Sequence, residues 1–445
     1  MLFLRRTTMA SALCLAALIP TVANADITIL AWPGGDPEKA MREVIDLYNE
    51  TQGQTDGNEA SVIYFSRQGF KEKMLADAAA GSTEFDVMLT STYDIGRYAP
   101  FMDPINDLID NEVYKVFPAN AIETQTFDGN VYGVPNDLSL HFLYFREDYI
   151  DQLLNDDAWK TRFEEISEER LGTKMLPKHP SDWTWDDYIA TAMFFTRSIN
   201  PDSPTRFGTV LQMKNLLFNI MVWQSTAASH GGDWRDADGN LTVDSDAFRK
   251  GLEIFKTITD NGATPGSSSS FEYGEANGAF GSGQVAFMIQ WNAAVPELND
   301  PEQNPEVAGK FAVTHQPEGP EGRKTHFHSL GLGINTASEN KEDAKKFLRW
   351  LATSKEANTL YAELGGAPPV TDEIMTAVAE DRPDMVLMGE HAAEYGFVMN
   401  GGAGEHALRI YEIMAENFTG YWAGEKSIDD ALSQVETEMN EIFSK

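Results

Sequence analysis

Strand-like and helix-like segments alternate over the first part of this chain. Residues 26–32 (DITILAW), 61–65 (SVIYF) and 85–89 (FDVML) are short runs rich in β-branched and aromatic residues, as in strands. Between the first two runs, over 37–48, apolar residues recur with the period of a helix. This order favours parallel strands with helices on both faces of the sheet. We therefore predict an α/β fold with a doubly wound parallel sheet.

The second half of the sequence carries more helices and further strands. Thr184 followed three residues later by Asp187 is the pattern of a capped helix start, and Asp238-Gly239 is typical of a hairpin turn. Apolar runs at 285–289 (VAFMI) and 330–335 (LGLGIN) predict two buried strands. With 445 residues, the chain is long enough for about two or three domains.

The first 25 residues differ from the rest of the sequence. Two arginines near the start precede an apolar run over 9–19, and the segment ends in Ala23-Asn24-Ala25. This is typical of a secretory signal peptide with an A-x-A cleavage site. The apolar run is shorter than the roughly 20 residues that a membrane-spanning helix needs. We expect residues 1–25 to be removed on export to the periplasm, by the general or the twin-arginine route.

Charge and cysteine content exclude several classes of protein. The chain has 69 acidic and 34 basic residues, for a formal charge of −35. It should repel phosphate backbones and anionic membrane surfaces, so we expect no nucleic-acid partner. The only cysteine, Cys14, lies inside the signal segment, where the residues before it match a lipoprotein signal poorly. We therefore predict a soluble exported protein without disulfides or cysteine-bound metal.

Motifs for catalysis and metal binding are absent or incomplete. The sequence has no P-loop, HExxH motif, nucleophile elbow or complete dinucleotide fingerprint. Residues 236–240 resemble part of a calcium loop, but Trp234 and Ser245 stand where ligands are needed, which favours a hairpin turn. His326 and His328 would share one strand face, but no third ligand can be identified. We predict no enzymatic activity, metal or cofactor.

Aromatic and polar residues follow the predicted strands. The carboxyl ends of parallel strands meet at one edge of a sheet, where open α/β sheets bind their ligands. A sugar offers apolar C–H faces, which suit aromatic rings, and hydroxyl groups, which suit carboxylate, amide or guanidinium groups. The candidate contacts at these strand ends are Trp32, Arg67, Thr92, Tyr93, Asp94, Trp291 and Asn292.

An ordered set of segments matches a known family pattern. It resembles the extracellular solute-binding proteins of bacterial ABC importers, and most of all their carbohydrate-binding class, which includes maltodextrin-binding proteins. The resemblance implies two α/β lobes of the type II-like periplasmic-binding-protein fold, each a sheet flanked by helices, joined by a hinge. It also implies a ligand held in the cleft and passed to a permease without catalysis. The segments are ITILAW, FDVMLTSTYDIGRYAPFMDPINDLID, YGVPNDLSLHFLYFREDYID, WTWDDYIATA, FGSGQVAFMIQWNAAVPEL and SLGLGINTASENKEDAKKFLRWLATSKEANTLYAELGGAPPV.

The resemblance supports Trp291 as the aromatic contact after a buried strand and adds further candidates. These are Asp137, Trp223, His328, Gly402 and Arg409. Several candidates also have structural interpretations that stay open here: core packing for Trp32 and Trp223, a helix start for Tyr93 and Asp94, a turn for Asp137, a surface ion pair for Arg67, and helix entry for Gly402 and Arg409. The departures from maltodextrin binders, such as Pro33-Gly34-Gly35, argue against maltodextrin itself as the ligand.

The family pattern also predicts three crossings between the lobes. They fall near Pro135, between Gly319 and His326, and near Ser354. The expected divisions are a signal peptide (1–25), an N-terminal lobe (26–135 and 327–354) and a C-terminal lobe (136–326 and 355–445).

Three functional hypotheses remain open from the sequence. The first is a monomeric, periplasmic protein that captures a mono- or oligosaccharide or a polyol by hinge closure and delivers it to ABC permease subunits. The second keeps the fold but binds a cationic amine such as a polyamine, because Tyr93, Asp94 and the acidic composition suit an ammonium group. The third is a secreted carbohydrate-active enzyme.

Overall fold

The computed structural model describes residues 26–31, 35–65 and 70–444. The predicted signal segment 1–25 and two candidate ligand contacts, Trp32 and Arg67, lie outside these described residues. Within the described ranges, no helix has the length and apolar character that a membrane crossing requires.

Helices and strands alternate along most of the chain. The strands are β1 (Ile27–Ala31), β2 (Ala60–Tyr64), β3 (Val87–Ser91), β4 (Met102–Asp103), β5 (Thr126–Phe127), β6 (Asn130–Val131), β7 (Val134–Ser139), β8 (His141–Arg146), β9 (Phe207–Val210), β10 (Val285–Trp291), β11 (Phe311–Thr314), β12 (Thr325–His326), β13 (His328–Asn335) and β14 (Gly396–Phe397). The helices are α1 (Gly35–Glu50), α2 (Gln52–Asp56), α3 (Phe70–Ala79), α4 (Ile95–Tyr98), α5 (Ala119–Glu123), α6 (Glu147–Asn155), α7 (Asp157–Leu171), α8 (Trp185–Phe194), α9 (Leu217–Ala228), α10 (Asp246–Asp260), α11 (Tyr273–Gly281), α12 (Ala294–Leu298), α13 (Lys341–Thr353), α14 (Lys355–Glu363), α15 (Asp372–Val378), α16 (Pro383–Tyr395), α17 (Ala407–Trp422) and α18 (Ile428–Phe443).

The first sheet has the order β2-β1-β3-β13-β4, with β7 also paired to β13. Strands β2 and β3 both run parallel to β1, so that Ile29 lies opposite Val62 on one side and Val87 on the other. The predicted parallel arrangement of the first three strands is therefore confirmed. The third strand begins two residues later than the sequence indicated, at Val87 rather than Phe85. Strand β13 runs antiparallel to β3, β4 and β7, so the first sheet as a whole is mixed.

The second sheet has the order β11-β8-β10-β9. Strand β10 runs antiparallel to β8 and parallel to β9. Successive side chains of a strand point to opposite faces, and β8 follows this rule. Phe142 and Tyr144 belong to one buried apolar cluster, whereas Leu143 and Phe145 belong to the other. The second sheet is thus covered on both faces, which explains why β8 and β10 read as continuous apolar runs.

Helix starts follow the predicted capping chemistry. The Thr184 hydroxyl accepts a hydrogen bond from the Asp187 backbone N–H, and Asp187 Oδ2 accepts one from the Thr184 backbone N–H at 2.9 Å. The Trp183 ring lies 6.2 Å from the Tyr188 ring, centroid to centroid, so an apolar contact also packs beside this cap.

The helices after Ser354 stay with the first sheet. Helix α14 packs against α1, and α15 packs against α14. The buried side chains of Ala357 and Tyr361 belong to the apolar cluster that the first sheet shares with one face of the second, and the Tyr361 hydroxyl donates to Oδ2 of Asp137, in β7, at 2.9 Å. The expected boundary at residues 354/355 therefore differs from the observed packing. The first buried residue of the second cluster after this segment is Met399.

Candidate functional site

Four ring side chains from both sheets meet where the sheets adjoin. Trp291 ends β10 and lies opposite His141, the first residue of β8, with ring centroids 4.1 Å apart. His328 begins β13 and lies 5.4 Å from the Trp291 ring and 5.0 Å from the Tyr93 ring. Tyr93 follows β3 in the first sheet, so the structure brings together Tyr93, Trp291 and His328, three of the predicted site residues. We call these three, with His141, the ring cluster.

The rings of this cluster pack edge to face. The Tyr93–His328 and Trp291–His328 planes make angles of 78° and 80°. Edge-to-face contact leaves the face of one ring directed at the edge of its neighbour, which is a favoured arrangement for aromatic pairs. Trp291 is only half-buried, while Tyr93, His141 and His328 are buried. The indole is therefore the member of the cluster with surface left for a ligand.

A buried ion pair supports Tyr93 from the side of α3. Lys71 Nζ lies 4.3 Å from the centre of the Tyr93 ring and forms an ion pair with the Asp94 carboxylate. Burial acts to lower the pKa of Lys71, but the attraction of Asp94 outweighs it and leaves this pKa above its ordinary value. Asp94 Oδ1 also accepts from the Ser91 backbone N–H at 2.8 Å. Asp94 thus fixes the turn after β3 and neutralises Lys71.

Thr92 joins the two central strands of the first sheet. Its hydroxyl oxygen accepts from the Ser329 backbone N–H at 3.0 Å and donates to the Ser329 carbonyl at 3.4 Å. Thr92 is buried and its hydroxyl is used by these bonds. Its observed role is to position Tyr93 beside β13.

Asn292 and Asp137 hold the backbone near the crossing from β7 to β8. Asn292 Nδ2 donates to the Leu138 carbonyl at 3.0 Å, and Asn292 Oδ1 accepts from the Leu140 backbone N–H at 3.1 Å. Asp137 Oδ2 accepts from the Tyr361 hydroxyl and from the Ala367 backbone N–H at 3.0 Å. Asp137 therefore lies at the predicted crossing and Asn292 lies beside it, and the contacts described for both residues position the backbone.

Trp223 packs in the second cluster and does not join the ring cluster. Its ring contacts those of Phe248, Phe418 and Trp422, and its Nε1 donates to the Gly251 carbonyl at 2.9 Å. These contacts correspond to the core interpretation that the sequence left open for this residue.

Arg409 and Gly402 likewise make contacts of their own, away from the ring cluster. Arg409 lies on the exposed side of α17 and pairs with Glu412 at 3.2 Å and with Glu438 at 3.8 Å. The Gly402 backbone N–H donates to the Met399 carbonyl in a turn before α17. A Cβ at Gly402 would approach that carbonyl to 2.8 Å, so the turn itself requires glycine here.

His141 and Gln224 belong to the candidate site, although the sequence analysis did not identify them. Gln224 Nε2 lies 2.5 Å from His326 Nδ1, and His326 Nε2 lies 3.0 Å from His328 Nδ1. Burial lowers the pKa of His326 to about 3 and, together with the neighbouring His326, lowers that of His328 well below its ordinary value. The histidines beside Trp291 are therefore uncharged at neutral pH. In the described part of the chain, no group of three or more His, Cys, Asp and Glu side chains could hold a metal ion.

The two sheets, with the chain crossing between them, define a two-lobe α/β fold of the periplasmic-binding-protein type. A family model described as "bacterial extracellular solute-binding protein" matches residues 43–385. This match covers more than half of the sequence, and the chain belongs to that family. Proteins of this family bind small molecules and work with membrane permease components.

Individual relatives and solved structures agree with this assignment. The lactose-binding protein of Rhizobium radiobacter is 25% identical over 359 residues, which are 78% of this chain and 75% of that protein. A probable amino-acid ABC transporter periplasmic-binding protein of Sinorhizobium fredii is 24% identical over 95% of this chain and 91% of that protein. The maltose-bound MalE3 structure of T. maritima is similar with a TM-score of 0.76 and 21% identity, covering 94% of this chain and 99% of that one. The structural likeness establishes the two-lobe fold.

Proposed function

We propose that this protein captures a neutral, polyhydroxylated molecule, a carbohydrate or a polyol, between its lobes for an ABC importer. The observation that carries the proposal is the ring cluster, in which Tyr93 from the first sheet and Trp291 from the second both contact His328. Aromatic rings suit the apolar C–H faces of a sugar, and neutral imidazoles can donate to or accept from its hydroxyl groups. The names of the lactose-binding relative and of the maltose-bound structure support the same ligand class.

The proposed mechanism is closure of two lobes on the ligand. Trp291 belongs to the second sheet and packs against His328 of the first, so a ligand on the exposed indole surface lies where the two sheets adjoin. Such a ligand gains contacts in the closed form that it lacks in the open form. Only such a difference in affinity can shift the equilibrium towards closure. From the packing of α14 and α15, we assign residues 26–139 and 328–388 to the first lobe and 140–326 and 396–444 to the second.

A cationic amine is a weaker candidate because the carboxylates near the ring cluster are already used. Asp94 is paired with Lys71, and Asp137 accepts hydrogen bonds from Tyr361 and Ala367. An ammonium ligand would have to compete with Lys71 for Asp94, and the positive charge of Lys71 would repel it. A neutral ligand meets neither cost.

We propose further that the ligand leaves chemically unchanged. Glycosidases place two carboxylates on either side of the bond that they cleave, one as a general acid and one as a nucleophile or base. Asp94, in its ion pair with Lys71, is not arranged as a general acid. The protein, a monomer exported to the periplasm with removal of residues 1–25, delivers its ligand to the permease of an importer. It has no nucleic-acid partner.

A thermal-shift screen at neutral pH tests the ligand class. Lactose, maltose, mannitol and ribitol represent the proposed ligands, spermidine represents amines, and glutamine tests the amino-acid class named for the Sinorhizobium relative. A ligand at about 100 times its Kd stabilises the folded protein by about 2.7 kcal/mol, which is a readily measured rise in Tm. We expect a sugar or polyol to raise the Tm and to be recovered without new reducing ends. Stabilisation by spermidine or glutamine alone would contradict the proposal.

A further inference from the structure

Buried histidines lie at all three places where the chain passes between the sheets. His141 opens β8, two residues after β7 ends at Ser139. His326 and His328 flank the single residue between β12 and β13. His391 lies near the end of α16, just before β14. These histidines are at most 3% exposed, and with the partly buried His315 they account for five of the eight histidines in the sequence. We call these five the junction histidines.

Hydrogen bonds define the proton positions on most of these rings. Gln224 Nε2 is an N–H donor, so His326 Nδ1 at 2.5 Å accepts, and His326 Nε2–H then donates to His328 Nδ1 at 3.0 Å. On the other side, the His141 carbonyl can only accept, so His391 Nε2 at 3.1 Å carries a proton. His391 Nδ1 in turn accepts from His315 Nδ1 at 2.9 Å. The acceptor nitrogens of His326, His328 and His391 are thus already occupied.

Adding a proton to His326, His328 or His391 breaks this arrangement. A proton on His326 Nδ1 would face the Gln224 amide N–H, and one on His328 Nδ1 would face the His326 N–H. His141 has no hydrogen-bond partner for either ring nitrogen among the described residues. A charge on His141 would therefore be buried without an acceptor, which is costly.

The surrounding charges do not offset that cost. Lys71 and Tyr93 face His328, and Lys71 is already paired with Asp94. Tyr411 faces His326, and His326 and His391 face His141. Around His315 and His391 lie Arg323, Tyr395, Glu390 and Glu394, and the two glutamates act on His315, the outermost of the five. Burial lowers the pKa of His391 to about 3. The packed junction accordingly favours neutral imidazoles.

We propose that lobe closure requires the junction histidines to be uncharged, so that ligand capture is weakened by mild acid. This inference rests on the proposed function, since closure is the step that it regulates. In the open form, water reaches the junction and each imidazole titrates near its ordinary pKa of about 6.5. Closing the lobes must then release those protons. At about pH 5.5, each histidine that must lose a proton lowers the affinity about tenfold relative to pH 7.5.

Calorimetry tests this coupling with lactose, maltose and mannitol as ligand probes. Titrations at about pH 6, in two buffers with different ionisation enthalpies, give the number of protons released on binding. The informative variants are His141→Phe, which removes a titrating ring without losing a hydrogen bond, and His326→Gln. His406→Gln is the matched control because His406 lies at the surface beside Glu405. If the larger phenyl ring of His141→Phe disturbs folding, His326→Gln keeps the test decisive.

The expected result is proton release by the natural protein and by His406→Gln, with less release and a flatter pH dependence in His141→Phe or His326→Gln. Equal affinity at pH 7.5 and 5.5, with no proton release, would overturn the inference while leaving the proposed function intact. Failure of every sugar and polyol to bind at pH 7.5 would overturn the proposed function itself, and the closure mechanism with it.

Discussion

Asn292 and Leu140 are joined by two reciprocal hydrogen bonds. The Asn292 backbone N–H donates to the Leu140 carbonyl at 3.0 Å, and the Leu140 backbone N–H donates to Asn292 Oδ1 at 3.1 Å. Leu140 is the single residue between β7 of the first sheet and β8 of the second. The pair therefore ties the end of β10 to the chain where it passes from one sheet to the other.

Replacing Asn292 by alanine should destabilise the fold. The change leaves the buried Leu140 N–H and Leu138 carbonyl without their partner, at a cost of about 1–3 kcal/mol in the free energy of unfolding. Urea denaturation measures the loss. Asn292→Asp is the matched comparison, because it keeps the acceptor for Leu140 but removes the donor to Leu138. An unchanged unfolding midpoint in Asn292→Ala would contradict the positioning role.

Removing the Trp291 ring should weaken ligand binding without unfolding the protein. Losing this large apolar contact should cost about 1.5–3 kcal/mol of binding free energy, which corresponds to a roughly 10- to 150-fold weaker Kd for the sugar or polyol. Calorimetry with Trp291→Ala measures this change. Trp159→Ala is the control, because Trp159 is also half-buried but packs against Phe194 and Phe195, away from the ring cluster. Equal affinities for the two variants would remove Trp291 from the site.

Local sequence patterns predict the first sheet well but not the packing of the later helices. The runs that form β1, β2 and β3 carry their own strand signal, and the helical segments between them require parallel pairing. The helical pattern of 355–363 predicts an apolar face but does not indicate which sheet that face covers. The contact between Tyr361 and Asp137 joins residues far apart in sequence, and it lies with the first sheet.

The candidate site shows the same limit. Tyr93, Trp291 and His328 could be predicted because each lies at the end of a recognisable strand. His141 could not, because its place opposite Trp291 depends on the antiparallel register of β8 and β10. Trp223 was predicted as a contact but packs in the second cluster. The sequence of an apolar helix does not show which of its aromatic residues face a cleft and which pack in a core.

Asp137 should stabilise the fold through its hydrogen bonds to Tyr361, in α14, and to Ala367, just after this helix. Its Oδ2 accepts from the Tyr361 hydroxyl at 2.9 Å and from the Ala367 backbone N–H at 3.0 Å. Hydrogen bonds to a charged group contribute about 1.5–3 kcal/mol each, so Asp137→Asn should lower the free energy of unfolding by an amount of this order. A double-mutant cycle with Tyr361→Phe measures the coupling. Fully additive effects of the two changes would show that the contact contributes nothing to stability.

Acid should destabilise the closed, ligand-saturated form of the protein well before its carboxylates are protonated. Burial lowers the pKa of His326 and His391 to about 3, below their ordinary value of 6.5, so the unfolded chain binds protons that the folded chain does not. Their contribution to stability is complete above about pH 6.5 and is lost as the pH falls towards 3, by at most about 1.4 kcal/mol per pH unit for each histidine.

Urea denaturation of the ligand-saturated protein between about pH 7.5 and 5 isolates this effect, since carboxylates titrate mainly at lower pH. His391→Gln should show a shallower fall in stability than the natural protein, because one buried titrating group is gone while an amide can still donate to the His141 carbonyl. His406→Gln, changed at the surface, should retain the full slope. Parallel pH profiles for all three proteins would mean that the destabilisation arises from groups other than the buried imidazoles.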